Sequence, residues 1–224
     1  MKLVLTSVLA LSLFAAACED PAANKTKATV NEPSANSANT SNAGANTAPA
    51  APAAAKGESL AINGENSKVE FTGSKVTGKH EGGFKTFSGT IDLVNSKPVE
   101  SGVSVDIDAA SVYVDDEKLA THLKSADFFD VEKFPKATFK STKIEADAAK
   151  GADAYTVTGD FNLHGVTKSI SFPATIKAGA DTVDVNAEFA VNRKDFGIVY
   201  AGKADDLIRD DVVIKLTLKA SRKK

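Results

Sequence analysis

Three imidazoles are available to this chain, His80, His122 and His164, and three ligands suffice for a zinc site that keeps a coordination position open. No two of them lie within a few residues of each other. A site would need three separate elements to converge, and no carboxylate can be assigned from the sequence to orient the rings. The histidines therefore read as turn or surface groups with hydrogen-bonded structural roles, a metal-dependent protein using them being the alternative. Asp195-Phe196-Gly197 spells the magnesium-binding triplet of protein kinases, but neither a Gly-rich phosphate loop nor a His-Arg-Asp catalytic loop accompanies it. Phe196 is expected instead to pack inward, Gly197 to relieve a tight bend, and Arg193 to pair with Asp195 or a ligand head group. The acidic runs Asp115-Asp116-Glu117, Asp205-Asp206 and Asp210-Asp211 lack the alternation of a calcium loop and read as solvated turns. A hydrolase triad is not supported, because no nucleophile elbow is present. No catalytic residue, metal ligand or cofactor is assigned, and the chain reads as a non-enzyme.

The one cysteine, Cys18, has no partner for an intramolecular disulfide. It follows Lys2, an apolar run from Leu3 to Ala17, and the small residues Ala15-Ala16-Ala17, which together form an export signal too short to be a membrane span. Ala15-Ala16-Ala17-Cys18 resembles the lipobox of bacterial lipoproteins, in which the cysteine becomes the mature N-terminus and carries acyl chains such as palmitate. The resemblance implies lipid attachment at Cys18 and a protein held at a bacterial membrane on the periplasmic side. Residues 1–17 are thus expected to be a lipoprotein signal peptide. Residues 18–56, rich in Ala, Asn, Thr, Ser and Pro with Val30 the only large apolar side chain, are expected to be the lipidated Cys and a low-complexity tether. Roughly forty flexible residues span on the order of 35 Å.

Residues 57–224 read as one all-β domain. Val183, Val185, Ala187, Phe189 and Val191 alternate with Asp184, Asn186 and Glu188, a period of two that excludes a helix. The same alternation runs through Val103 to Ile107, Ile170 to Ile176 and Val212 to Ala220, with shorter or noisier examples at Val69-Phe71, Phe87 to Leu93, Ala137-Phe139 and Val157 to Leu163. Turn signals fall at Glu81-Gly82-Gly83, Asn95 to Pro98, Lys150-Gly151, Gly165 and Gly179 to Asp181. One stretch differs. Asp115-Asp116 can cap a short helix that places Leu119 and Leu123 on one face, ending before Phe134-Pro135, and it reads as a plug or lid. About eight antiparallel strands leave two open edges unless the sheet closes, so an eight-stranded barrel is favoured over a two-sheet sandwich.

With 27 basic against 29 acidic residues, there is no broad positive field to gather phosphates, which argues against nucleic acid as a partner. The aromatic content is twelve Phe, three Tyr and no Trp, so most aromatic surface lacks a polar handle and belongs in a dry interior. Core packing accounts for part of it.

Thr121-His122-Leu123-Lys124-Ser125-Ala126-Asp127-Phe128-Phe129-Asp130-Val131, followed by Phe134-Pro135 and Thr138-Phe139-Lys140-Ser141, resembles the central signature of the YceI-like family, the bacterial polyisoprenoid-binding proteins. Gly159 to Lys168 and Arg193-Lys194-Asp195-Phe196-Gly197-Ile198 resemble two further segments of that family, and Phe84 to Leu93 its first long hairpin. The resemblance implies a lipocalin-like antiparallel barrel with an elongated apolar tunnel, holding an isoprenoid lipid, an isoprenoid quinone or a fatty amide, and no catalytic motif. Candidate tunnel walls are Phe71, Phe84, Phe87, Ile91, Val105, Phe139, Phe161, Leu163, Phe172, Ile176, Val185, Phe189, Val191, Ile214 and Leu216 on strands, with Leu119, Leu123, Phe128 and Phe129 by the lid. The lipobox, the tether and an insertion-like turn at Gly78 to Gly82 depart from the commoner secreted members and set this chain apart from a soluble shuttle. The expected role is carrier or reservoir, with a non-catalytic structural or stress-response barrel of packed core as the rival.

Overall fold

The computed structural model describes residues 20–33 and 57–222. Its strands are β1 (Thr29–Asn31), β2 (Glu58–Asn63), β3 (Lys68–Lys75), β4 (Gly78–Phe84), β5 (Phe87–Leu93), β6 (Gly102–Asp108), β7 (Val112–Val114), β8 (Lys136–Ala146), β9 (Ala154–Leu163), β10 (Val166–Ala178), β11 (Thr182–Asn192), β12 (Gly202–Lys203), β13 (Asp206–Leu207) and β14 (Asp211–Ser221), with one α-helix, α1 (Glu117–Leu123). Twelve strands form one antiparallel sheet in the order β2-β5-β6-β8-β9-β10-β11-β14-β3-β4-β7, with β1 attached to β10. The fold is therefore the expected lipocalin-like β architecture, and all eight anticipated strands are present. The strand count is higher than eight because the long alternating strands are joined by six short or weakly patterned ones.

The sheet curls until its parts meet. β14 pairs with β3 from Val213↔Thr72 to Thr217↔Lys68 and then continues alongside β2. There the Ser67 hydroxyl accepts from Lys219 N at 2.9 Å, and Arg222 Nε bonds Glu58 Oε2 at 2.8 Å. Period-two patterning then puts one face of each strand inside the curl, where Leu60, Ile62, Val183 and Phe189 are almost wholly buried. The two-residue turn between β9 and β10 places both His164 (φ 53°) and Gly165 (φ 75°) in the left-handed region, as right-handed strand twist favours in tight hairpins. A Cβ on Gly165 would also stand 2.4 Å from the Phe134 ring, so only glycine fits.

Two expectations are corrected here. Gly78 to Gly82 is no turn: it is strand β4, paired with β3 from Glu70↔Gly83 to Lys75↔Gly78. Phe84 to Leu93 is likewise no hairpin, since β4 pairs with β3 and β7 while β5 pairs with β2 and β6. The glycines that look like turn residues serve close packing, because a Cβ on Gly82 would lie 2.3 Å from the Tyr113 carbonyl.

The tether expectation over residues 18–56 is corrected in its described part. β10 and β11 pair only from Ala174↔Ala187 to Ala178↔Val183, and beyond Ala174 they part. Residues 26–31 fill that opening. β1 lies on β10 from Thr29↔Ser171 to Asn31↔Ser169, while Ala28 N donates to Ala190 O at 2.8 Å and Ala190 N donates to Thr26 O at 2.9 Å. Ala22 packs on Ala190 and Val213, all three buried. Cys18, the expected signal peptide over residues 1–17 and residues 34–56 lie outside the described residues. A chain beginning at Gly57 is expected to keep its β-rich circular dichroism but to melt at lower temperature than one beginning at Asp20, because it uncovers these groups and a strand edge. Equal melting temperatures would show that the segment contributes no stability.

Candidate functional site

Inside the curled sheet lies an apolar cavity of about 380 Å³, within the size range of small-molecule sites. Its walls run the length of the barrel. At one end they include Leu93, Pro98, Ser101, Gly102 and Val103, and at the other Ser74, Lys75, His80, Asp116, Leu119 and Ile208. The second is called the α1 end below.

The strands bring all but one of the anticipated wall residues to this cavity. Phe71, Phe84, Ile91, Val105, Phe139, Phe161, Leu163, Phe172, Ile176, Val185, Phe189, Val191, Ile214 and Leu216 line it from the sheet, and Leu119, Leu123, Phe128 and Phe129 from the α1 region. Phe87 is the exception. It is buried, but it faces a separate recess with Gly64, Ser67 and Tyr113, because the chain bends between β2 and β3 at that level. Mid-barrel, Phe172 and Phe189 stack with centroids 4.2 Å apart and planes at 12°, and Phe139 leans on Phe172 at 5.6 Å. Wall residues not singled out as candidates from the sequence include Leu218, Val212, Val69, Ile107, Val157 and Ile170, although the alternation placed all of them on inward faces.

The short helix expected as a plug or lid, α1, lies at the α1 end. Asp116 caps the helix, its carboxylate accepting from Leu119 N at 2.9 Å, and this bond holds its carboxyl below the usual range. Leu123, Phe128, Ile198 and Val112 form a second core against Leu119, Phe129 and Tyr200. Phe71, Phe84 and Phe129 meet at centroid distances of 5.6 to 6.4 Å, closing the apolar contact between plug and sheet.

Polar groups are few along the walls. Ser74 is buried and its hydroxyl makes no hydrogen bond among the described residues. Arg193 is also buried, but it pairs with Asp210 at 3.2 Å rather than with Asp195, and it donates through Nη1 to Ile198 O at 2.7 Å and through Nε to Arg209 O at 3.2 Å. Phe196 is fully buried and Gly197 turns at φ 75°. The histidines stay apart: His80 bonds Asp115 at 2.8 Å, His122 bonds Asp127 at 2.8 Å, and His164 meets Phe196 O at 3.2 Å. Among the described residues, no three His, Cys, Asp or Glu side chains converge on one point.

A model of the YceI-like domain matches residues 60–220. A UPF0312 protein of Pseudomonas putida (strain W619) is 37% identical over 140 residues, covering 60% of this chain and 71% of that protein. Among solved structures, BcnA of Burkholderia cenocepacia superposes with a TM-score of 0.63 at 25% identity, over 71% of this chain and 99% of that one. A domain from Saccharophagus degradans described as polyisoprenoid-binding superposes with a TM-score of 0.57 at 18% identity, over 73% of this chain and 99% of that one.

Proposed function

The chain belongs to the YceI-like family, and from that membership we propose that it is a non-catalytic binding protein holding an isoprenoid lipid or isoprenoid quinone in its barrel, as carrier or reservoir. The observation that carries this reading is the cavity itself: a continuous apolar space of about 380 Å³ running the length of the barrel. Such a space suits a long, narrow hydrocarbon. Each methylene moved from water into it gains about 0.8 kcal/mol, so a few isoprene units exceed ordinary association costs. The polyisoprenoid-binding description of the Saccharophagus degradans neighbour points to the same ligand class. Polar wall groups are left the task of orienting a head.

Mass spectrometry of an organic extract of the natively purified protein tests the reading. A long-chain isoprenoid is expected, and its absence would favour a barrel packed by its own side chains.

The reading places the protein in the periplasm of a bacterium, anchored through acyl chains on Cys18; two or more chains hold firmly where one is marginal. Cys18→Ser is expected to move the protein from the membrane fraction to the soluble fraction with its fold intact. Sedimentation of the exported variant with membranes after a high-salt wash would exclude the anchor.

A further inference from the structure

Four large apolar side chains stand exposed among the described residues: Val76, Val99, Val199 and Leu207. Val99 belongs to the β5–β6 connection at the far end of the barrel. The other three share the α1 end. Val76 N donates to Leu207 O at 3.1 Å, tying the β3–β4 turn to β13, and Ala201 O accepts from Ile208 N at 2.9 Å, holding the Val199 segment on the same strand. Side chains neighbouring these three in sequence, Lys75, Ile198 and Ile208, line the cavity. The exposed apolar residues therefore surround the cavity end that also holds Ser74.

The N-terminal segment is fastened at the same place. Asp20 Oδ2 pairs with Arg209 Nη1 at 3.3 Å, and Arg209 N donates to Ser74 O at 2.9 Å. Cys18 stands two residues before Asp20 in the sequence. A free tether of the expected length would let the domain adopt any orientation above a bilayer. Asp20 and residues 26–31 are instead bonded to the barrel wall, so an anchor two residues before Asp20 would hold the Arg209 side of the barrel toward the lipid.

We propose that the α1 end of the barrel docks on the lipid bilayer, with Val76, Val199 and Leu207 against its surface and the cavity end facing the acyl chains. The inference rests on the acylation of Cys18 proposed above. Contact is apolar and local rather than electrostatic. Asp206 is paired with Lys75, and Asp210 with Arg193 and Lys194, while Asp205 and Lys203 add one charge of each sign, so the two signs are mixed at this end and form no basic patch for anionic lipid. Three apolar side chains bind a membrane weakly by themselves, but an anchor on the same chain makes their contact effectively intramolecular. An apolar ligand could then pass between bilayer and cavity without crossing water.

The sequence contains no tryptophan, which allows a direct test. The full-length chain, matured in a bacterium, is reconstituted into phosphatidylcholine vesicles containing a brominated phosphatidylcholine, as Val199→Trp, Leu207→Trp or Val99→Trp. In the first two, emission should shift to the blue and fall about twofold or more, as for side chains at the headgroup and acyl boundary. In Val99→Trp it should match the protein in water. If the protein floats with vesicles but Val199→Trp and Leu207→Trp are unquenched, or Val99→Trp is quenched equally, the docking inference is wrong. If the protein does not float and mass spectrometry finds Cys18 free of acyl chains, the anchor reading fails and the inference falls with it.

Discussion

Phe189→Ala should cost clearly less than the roughly 3 to 5 kcal/mol typical of deleting a phenylalanine from a packed core, and should change the amount or chain length of lipid extracted with the protein. Phe189 is 2% exposed, stacks on Phe172 at 4.2 Å and lies opposite Ile214 across the β11–β14 ladder. By burial alone it is a core residue. It also borders the cavity, so a flexible hydrocarbon next to it can move into the space its ring vacates, whereas fixed side chains can relax only in part. Val185→Glu is the companion change on the same wall. It puts an unpaired carboxylate into an apolar space, and both lipid and a few kcal/mol of stability should be lost. Asn186 is exposed on the opposite face, and Asn186→Glu should shift stability by less than about 0.5 kcal/mol with lipid content intact. Denaturant melts paired with lipid extraction read all three. A full-sized loss for Phe189→Ala, with no lipid in the parent protein, would reject the carrier reading in favour of a packed structural barrel.

The barrel was legible in the sequence wherever alternation runs long enough to be unmistakable. β11 and β14 declare their inward faces over eleven residues each. β2 has only Leu60 and Ile62 in six residues, yet these are among the most buried side chains in the protein. β4, with the sequence GKHEGGF, has no β-branched residue and three glycines, so propensity argues for a turn where packing against β3 and β7 imposes a strand. The N-terminal segment escaped for a different reason. It covers the outside of the wall, where small side chains such as Ala22 suffice, and its composition matches that of a tether. A signal did exist: Ala190 and Val213 sit on outward faces that are otherwise polar, and both are buried, which requires something to cover them. Inward direction of the cavity residues followed from the pleat. Whether inward side chains meet or leave a void depends on strand tilt and on how the sheet closes, and period two carries no information about either. Phe87 shows the limit, being inward by pattern and outside the cavity by the bend between β2 and β3.

Arg193→Ala should destabilise the protein by about 3 kcal/mol, because the guanidinium is the hub of the segment at the α1 end and its removal leaves buried carbonyls without donors. Arg193 is 5% exposed, and burial lowers its pKa from the ordinary arginine value while the Asp210 charge opposes the shift; a guanidinium nevertheless stays charged throughout the neutral range. From one position it holds Ile198 O, Arg209 O and the Asp210 carboxylate, so residues on both sides of β12 and β13 are fixed by a single side chain. Asp210 is partly solvated and keeps Lys194 at 2.8 Å, so the loss falls mainly on the carbonyls and on the packing of the guanidinium. Arg193→Lys should recover only a minor part, since one ammonium on a flexible stem cannot reproduce a planar fork bonded in several directions. Hydrogen exchange should quicken at residues 198–210 in both variants, ahead of the β9, β10 and β11 ladders. Because Ile198 and Ile208 also line the cavity, ligand should escape faster from Arg193→Ala than from the parent. A stability change within about 0.5 kcal/mol, the range of an ordinary surface substitution, with exchange at 198–210 unaltered, would mean that α1 and its flanking strands hold that end together without the arginine.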